Sequence, residues 1–251
     1  MTATLWASVL ALGLASPLVQ QVRSSADDQR ASAHYRSGWE HLRAEAWGEA
    51  AREFQATIDI NPEFKLAFYG LGRANMGRKQ FPDAISAYER CRDLFLSQAG
   101  RNFSNKADAD RMMQDDLMQI DMAVQQLRSG PQSPATQVRI AELQMQKQRF
   151  QSRTRTMDTM SISSSVPAFV SLALGSAYFR SEHFDAAEQE YKRALEADPK
   201  YGEAHNNLAV VYLLTNRYDE AEKEARAAEK AGYNVNPQLK EDIRRKKSEK
   251  Q

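Results

Sequence analysis

Acid–base, nucleophilic and metal chemistry each need particular side chains brought together, and this 251-residue chain supplies them thinly. Its four histidines, His34, His41, His183 and His205, are dispersed, and its one cysteine is Cys91. A lone thiol excludes an intramolecular disulfide, a Cys-rich zinc site and a thioredoxin-type pair. No Gly-rich phosphate loop, H-E-x-x-H or nucleophile elbow appears. Carboxylates are abundant but follow helical surface spacing, so no acid–base pair stands out. An imidazole without a partnered constellation reads as a core or surface residue rather than a base or ligand. The expectation is therefore no catalytic residue, no metal and no cofactor. Lys and Arg number 34 against 33 Asp and Glu, and the formal charge of +1 gives no overall pull toward nucleic acid or anionic lipid.

The elements that carry these side chains are helices. Glycine (11) and proline (8) are too few for a barrel or sandwich of many short strands. A charged fraction of 27% and a mean hydropathy of −0.65 describe a heavily solvated surface. Four stretches align without gaps at a period of 34: 31–64, 65–98, 168–201 and 202–235. The seventeenth position of each is aromatic (Trp47, Phe81, Phe184, Tyr218), and alanine follows three residues later (Ala50, Ala84, Ala187, Ala221). An acid lies between them (Glu49, Asp83, Asp185, and Asp219 with Glu220), where it complements the N-terminal end of a helix. Steps of three and four link Leu174, Gly175 and Tyr178 on one face, and Ala187, Tyr191 and Ala194 on another. Each unit is thus a helix–turn–helix, and Gly175 with Ala187 marks a close crossing. Asn61-Pro62 and Asp198-Pro199 end second helices.

On these residues the chain resembles the tetratricopeptide repeat family, whose pattern is W-x-x-L-G-x-x-Y, then A-x-x-x-F, a small residue and P. The third repeat carries it best, in Leu174, Gly175, Tyr178, Ala187, Tyr191, Ala194 and Pro199. The fourth keeps Leu208, Tyr212, Ala221 and Ala228 but has Ala209 for the glycine and Ala225 for the aromatic. The second keeps Phe68, Leu71, Gly72, Ala84 and Tyr88, with Cys91 at the small-residue position, which implies a buried structural thiol. The first keeps Gly38, Ala50, Phe54 and Pro62, while His34 takes the place of a packing aromatic, as His205 does in the fourth. The resemblance implies an all-α solenoid whose first helices line a groove for protein or peptide. By register its lining would be Tyr35, Trp39 and Leu42, then Tyr69, Arg73 and Met76, then Phe169, Leu172 and Phe179, and last Asn206, Val210 and Leu213. That lining is mostly apolar or aromatic, and only Arg73 and Asn206 resemble a carboxylate clamp. Rings at such positions need either a partner or a cover from within the molecule.

The expected architecture is four repeats arranged as 2+2 (31–98 and 168–235), interrupted by a long antiparallel helical hairpin at 99–167 and closed by a capping helix at 236–251. In the insert, Met113, Leu117, Ile120, Val124 and Leu127 alternate in steps of four and three, a heptad seam of coiled-coil type. Ile140, Leu143, Lys147 and Phe150 lie on the matching stripe beyond Gly130-Pro131, with Lys147 weakening it. The methionines there (Met112, Met113, Met118, Met122, Met145, Met157 and Met160) read as core filling. Asn236-Pro237 opens a charged helix with Leu239 and Ile243 as its packing edge, suited to covering the end of a stack. Residues 1–30 read as a signal-like or anchor segment plus linker. Leu5 to Val19 is uncharged, and as a helix would span about 22 Å, short of the ~30 Å hydrocarbon core. A cleaved secretory signal, cut after Ala15, fits better than an anchor.

The functional expectation is a non-enzymatic scaffold that binds protein or peptide, exported to the periplasm or envelope of a bacterium, where it assembles or stabilises a complex. The alternatives are a structural subunit that self-associates through the hairpin, a cytoplasmic protein, or a nucleic-acid binder acting through the basic tail. No nucleic acid is expected, and membrane contact only through 5–19 if that segment stays uncleaved.

Overall fold

The computed structural model describes residues 25–98 and 166–249, together with scattered residues between 117 and 148. Four helical hairpins follow one another: α1 (Ser25–Arg43) with α2 (Trp47–Ile60), α3 (Lys65–Gly77) with α4 (Phe81–Gln98), α5 (Ala168–Arg180) with α6 (Phe184–Ala197), and α7 (Gly202–Leu214) with α8 (Tyr218–Lys230). A last helix, α9 (Pro237–Glu249), packs on α8. Helix α1 starts six residues before the repeat boundary at 31, so residues 25–30 are its first turns rather than linker. Asp27 and Asp28 there face the positive end of the helix.

One turn closes all four hairpins. Glu45, Lys79, Glu182 and Asn216 adopt left-handed backbone, with φ of 56°, 60°, 62° and 60°. In the first hairpin, the Glu45 N–H donates to Leu42 O at 3.2 Å and the Ala46 N–H to His41 O at 2.9 Å. The same pair of bonds recurs at Lys79 and Gln80, at Glu182 and His183, and at Asn216 and Arg217. This Schellman closure satisfies the last carbonyls of the first helix and aims the chain back along it. The second helices α2 and α6 end differently, whereas α8 closes at Gly232 with the same pair of bonds. Asn61 Oδ1 accepts from the Glu63 N–H at 3.0 Å and Asp198 Oδ1 from the Lys200 N–H at 3.1 Å, with proline between each pair.

Inside each hairpin the alanines Ala50, Ala84, Ala187 and Ala221 have no exposed surface. A second rule couples glycine to ring. A Cβ on Gly72 would lie 2.5 Å from Tyr88 Cε1, and one on Gly175 would lie 2.7 Å from Tyr191 Cε1. Where the fourth repeat has Ala209 instead, its partner is Ala225 and no ring needs the space. Cys91 is fully buried, and burial pushes its thiol well up from the ordinary range.

The interruption between the second and third repeats is one of sequence only. Helix α4 packs on α5 as α2 packs on α3, and Val170, Leu174 and Ala177 join one core with Phe54, Tyr88, Cys91 and Phe95. Across that seam Arg92 Nη1 meets Glu190 Oε1 at 3.0 Å, and the Tyr178 hydroxyl donates to Glu89 at 2.7 Å. Glu190 is 3% exposed and also pairs with Arg193. The apolar face of α4 demands a cover, and the next repeat supplies it however much chain lies between.

Within the insert, Ile120, Val124, Ile140 and Leu143 bury one another, and Lys147 Nζ donates to Asp121 at 2.6 and 2.7 Å. Lys147 thus works across the seam as an ion-pair partner. Met118 packs against the core of the first repeats, whereas Met145 is exposed. The ends of the hairpin expected at 99–167, and Met112, Met113, Met122, Met157 and Met160, lie outside the described residues. On α9, Ile243 is buried and Leu239 packs beside it, while Lys247 pairs with Asp219 and Glu222, and Lys240 with Glu229. Among the described residues no helix is long and apolar enough to cross a membrane. The segment 5–19 lies outside them.

Candidate functional site

The first helices of the repeats lie side by side, and between α3, α5 and α7 they leave a cleft of about 350 Å³. Met76 comes from the last turn of α3 and Phe81 opens α4. Helix α5 contributes Ser176, Phe179 and Arg180, and α7 contributes Asn207 and Val210. Tyr191 reaches the cleft from α6, passing over Gly175. Its hydroxyl donates to Ser176 Oγ at 3.4 Å, and Ser176 Oγ donates to Leu172 O at 2.9 Å. Burial pushes the Tyr191 phenol up to about 12, so it stays neutral and serves as a hydrogen-bonding wall. Arg180 lies over the Phe81 ring, with Cζ 5.4 Å from the centroid, and Phe179 leans on Phe184 at 5.7 Å.

Of the positions expected to line a groove, Met76, Phe179 and Val210 meet in this cleft. Trp39, Phe169, Asn206 and Leu213 are half-buried elsewhere on the first helices, and Arg73 is exposed. Tyr35, Leu42, Tyr69 and Leu172 are buried in the stack. The rings among them cover one another. Phe64 stacks on Tyr35 at 4.8 Å, Tyr35 meets Trp39 at 6.1 Å, Trp39 meets Tyr69 at 6.4 Å, and Phe169 stands edge-on to Tyr69 at 4.8 Å. For Tyr35 and Tyr69 the cover is therefore internal, and these rings do contribute to stacking. Neighbouring repeats place bulky side chains at successive levels, and adjacent rings fill the gap between them. Burial raises the Tyr69 phenol to about 12. Arg73, by contrast, extends over the Trp39 ring at 5.4 Å.

Register alone missed Phe81, Arg180, Ser176 and Asn207. Arg180 adjoins Phe179 in the last turn of α5, and Phe81 is the recurrent aromatic of the seventeenth position. Their cation–π contact could not be read from either repeat separately. The histidines expected at aromatic positions are polar partners. His34 Nδ1 is 2.8 Å from Glu53, and His205 Nδ1 is 2.6 Å from Glu224 with Nε2 3.2 Å from Pro199 O. Among the described residues no three His, Cys, Asp or Glu side chains gather where a metal could be held.

Among solved structures the chain is similar to a crystal structure of MamA, with a TM-score of 0.51 and 14% identity over 82% of this chain and 81% of that one. It is also similar to PilW, a widely conserved type IV pilus biogenesis factor (TM-score 0.38, 15% identity, 84% and 81% covered). A third likeness is to TTC0263, a thermophilic TPR protein of Thermus thermophilus (0.35, 19%, 86% and 98%). At 14% identity what is shared with MamA is the fold. No curated protein matches the sequence. The sequence pattern described as tetratricopeptide repeat matches residues 35–95 and 172–235, which are the two halves of the stack. With its four in-phase hairpins and glycine–ring crossings, the chain belongs to the tetratricopeptide repeat family.

Proposed function

We propose that the chain is a non-enzymatic scaffold that holds a segment of another protein in the cleft between α3, α5 and α7. The observation that carries this reading is the cleft itself. Met76, Phe179 and Val210 keep part of their apolar surface uncovered there, beside an exposed Arg180, although the surrounding rings are packed. A concave, mostly apolar site with a few fixed polar groups is the ordinary form of a binding site. We further propose that the scaffold is exported and assembles or stabilises a complex of the bacterial cell envelope, a reading supported by the uncharged run Leu5 to Val19. Self-association through the insert is less well supported, because Ile120, Val124, Ile140 and Leu143 already occupy each other. The basic residues of α9 are in large part engaged with Asp219, Glu222, Glu229 and Asp242, which leaves little for a nucleic acid.

A photocrosslinking amino acid at Val210 tests the binding reading, with the same group at exposed Lys223 of α8 as control. The expected result in the native host is a discrete adduct from position 210 and none from 223. Equal labelling at both, or none at either, would remove the cleft from consideration. Mass spectrometry of the mature N-terminus tests export, with a chain beginning at Ser16 expected.

A further inference from the structure

The first position of each repeat is held by Ala31, Lys65, Ala168 and Gly202. It suits small side chains because it lies against the end of the repeat's own second helix. A Cβ on Gly202 would come within 2.7 Å of Tyr233 Cβ and 3.4 Å of Ala231 Cβ. Thirty residues on, the repeats have Asn61, Phe95, Asp198 and Gly232. Three of these turn the chain, Asn61 and Asp198 through their side-chain acceptors and Gly232 through left-handed backbone with φ of 82°. The second repeat departs at both positions together. Helix α4 runs on through Phe95 to Gln98, and Lys65 Nζ lies 4.4 Å from the centroid of the Phe95 ring. Lysine ordinarily lays its stem along apolar surface and keeps its head in water. Lys65 is instead 1% exposed, and among the described residues its Nζ has no hydrogen-bond partner. Taking an amine out of water without an acceptor is costly, and attraction to the face of one ring returns only part of that cost. The turn that covers it is weakly held. Phe95 is buried there, but Leu96 and Ser97 are exposed, and no basic side chain complements the helix end. Phe95 also belongs, with Cys91, Val170 and Leu174, to the core that joins α4 to α5.

We infer that Lys65 and Phe95 form a latch at the junction of the two halves of the stack, and that the buried amine keeps this latch close to opening. When the last turn of α4 lifts, Lys65 regains water and Phe95 leaves Val170 and Leu174. The halves then hinge about the α4–α5 seam without either one unfolding. The bonds from Arg92 to Glu190 and from Tyr178 to Glu89 engage α4 about one and two turns earlier and remain as the pivot. The junctions of α2 with α3 and of α6 with α7 carry no such device. They have Ala31 and Ala168 in place of Lys65, and the turns at Asn61 and Asp198 in place of Phe95.

The test is amide hydrogen exchange on the full chain, read by mass spectrometry, with Lys65→Met putting an apolar side chain of similar length in place of the amine. Exchange in 94–98 and in 170–174 should slow about tenfold or more, while α7 and α8 keep their rates and the melting temperature rises. Phe95→Leu should speed exchange in the same two segments by about three- to tenfold. In the Lys65→Met background that acceleration should be smaller, because the ring no longer has a cation to hold. A Lys65→Met chain that melts below the parent, or exchanges no more slowly in 94–98, would overturn the latch, since the amine would then be satisfied where it lies. Slowing confined to 94–98 would reduce the effect to fraying of one helix end and overturn the hinge. Equal slowing in every helix would mark global stabilisation and overturn it too.

Discussion

At the scale of single residues, strain and crowding are concentrated at repeated positions. Glu45, Lys79 and Glu182 hold left-handed backbone that a Cβ disfavours by roughly 1–2 kcal/mol, whereas Asn216 tolerates it through its short polar side chain. Glu182→Gly should therefore raise stability by about 1 kcal/mol in urea titration, after the entropy of glycine is discounted, and Asn216→Gly should change little. Gly175→Ala pushes a methyl to within 2.7 Å of Tyr191 Cε1 and should cost about 1–3 kcal/mol. Added to Tyr191→Ala it should cost almost nothing, because the pair then copies Ala209 and Ala225 of the fourth repeat. A double-mutant cycle that found the two costs additive would refute this coupling. His205 makes a prediction about pH. Both its ring nitrogens face oxygen acceptors, Glu224 Oε2 and Pro199 O, so both contacts are made only by the imidazolium. The hydrogen bond to Glu224 raises its pKa against the opposing effect of burial. A raised folded value means stability that is complete below about pH 6.5 and lost as the pH climbs through the folded pKa. The melting temperature should fall as the pH rises above about 6.5, and His205→Gln should flatten that slope.

At the scale of elements, the period was legible because it rests on steric rules with one outcome. The Ala50, Ala84, Ala187 and Ala221 row, the Asx-Pro ends and the glycine–ring crossings all tie one residue type to one geometry. The turn residues were not legible. Glu, Lys and Asn share no side-chain chemistry, and their left-handed backbone is imposed by the closure around them rather than by their own preference. The groove was legible only in part. Register identifies the side of a helix, but whether Tyr69 meets solvent or Phe169 depends on the neighbouring repeat, and that neighbour lies a whole insert away in the chain. Because α4 and α5 pack directly, replacing 99–165 by a flexible linker able to reach from Gln98 to Val166 should preserve one cooperative melting transition. Two separate transitions would show that the insert holds the halves together. Glu190→Ala in the full chain should instead lower stability by about 1.5–3 kcal/mol, since it removes the charge-assisted bond across the seam and leaves Arg92 only its pairing with Asp93.

At the scale of the molecule, a stack of repeats is as stable as its intrinsic units and its nearest-neighbour interfaces. Helix α9 is the final interface, burying Ile243 on the side of α8 that would otherwise face water. Truncation before Asn236 should speed amide exchange in α7 and α8 first and leave α3 and α4 near their original rates. Uniform acceleration along the chain would mean that the stack unfolds as a single unit. The seam between α4 and α5 bears on how the chain reaches this state. Contacts within a hairpin join residues close in sequence, whereas Tyr178 with Glu89 and Arg92 with Glu190 join residues 89 and 98 positions apart. Low contact order favours rapid folding, and closing so long a loop carries an entropic barrier that local hairpins escape. On a ribosome the first two repeats emerge and form while α5 is still unsynthesised, leaving the apolar face around Phe95 and Cys91 open to water for the time of about seventy further residues, several seconds of translation. That interval is when the nascent chain is most exposed to a chaperone or to a neighbouring copy, and it ends when Val170 and Leu174 dock.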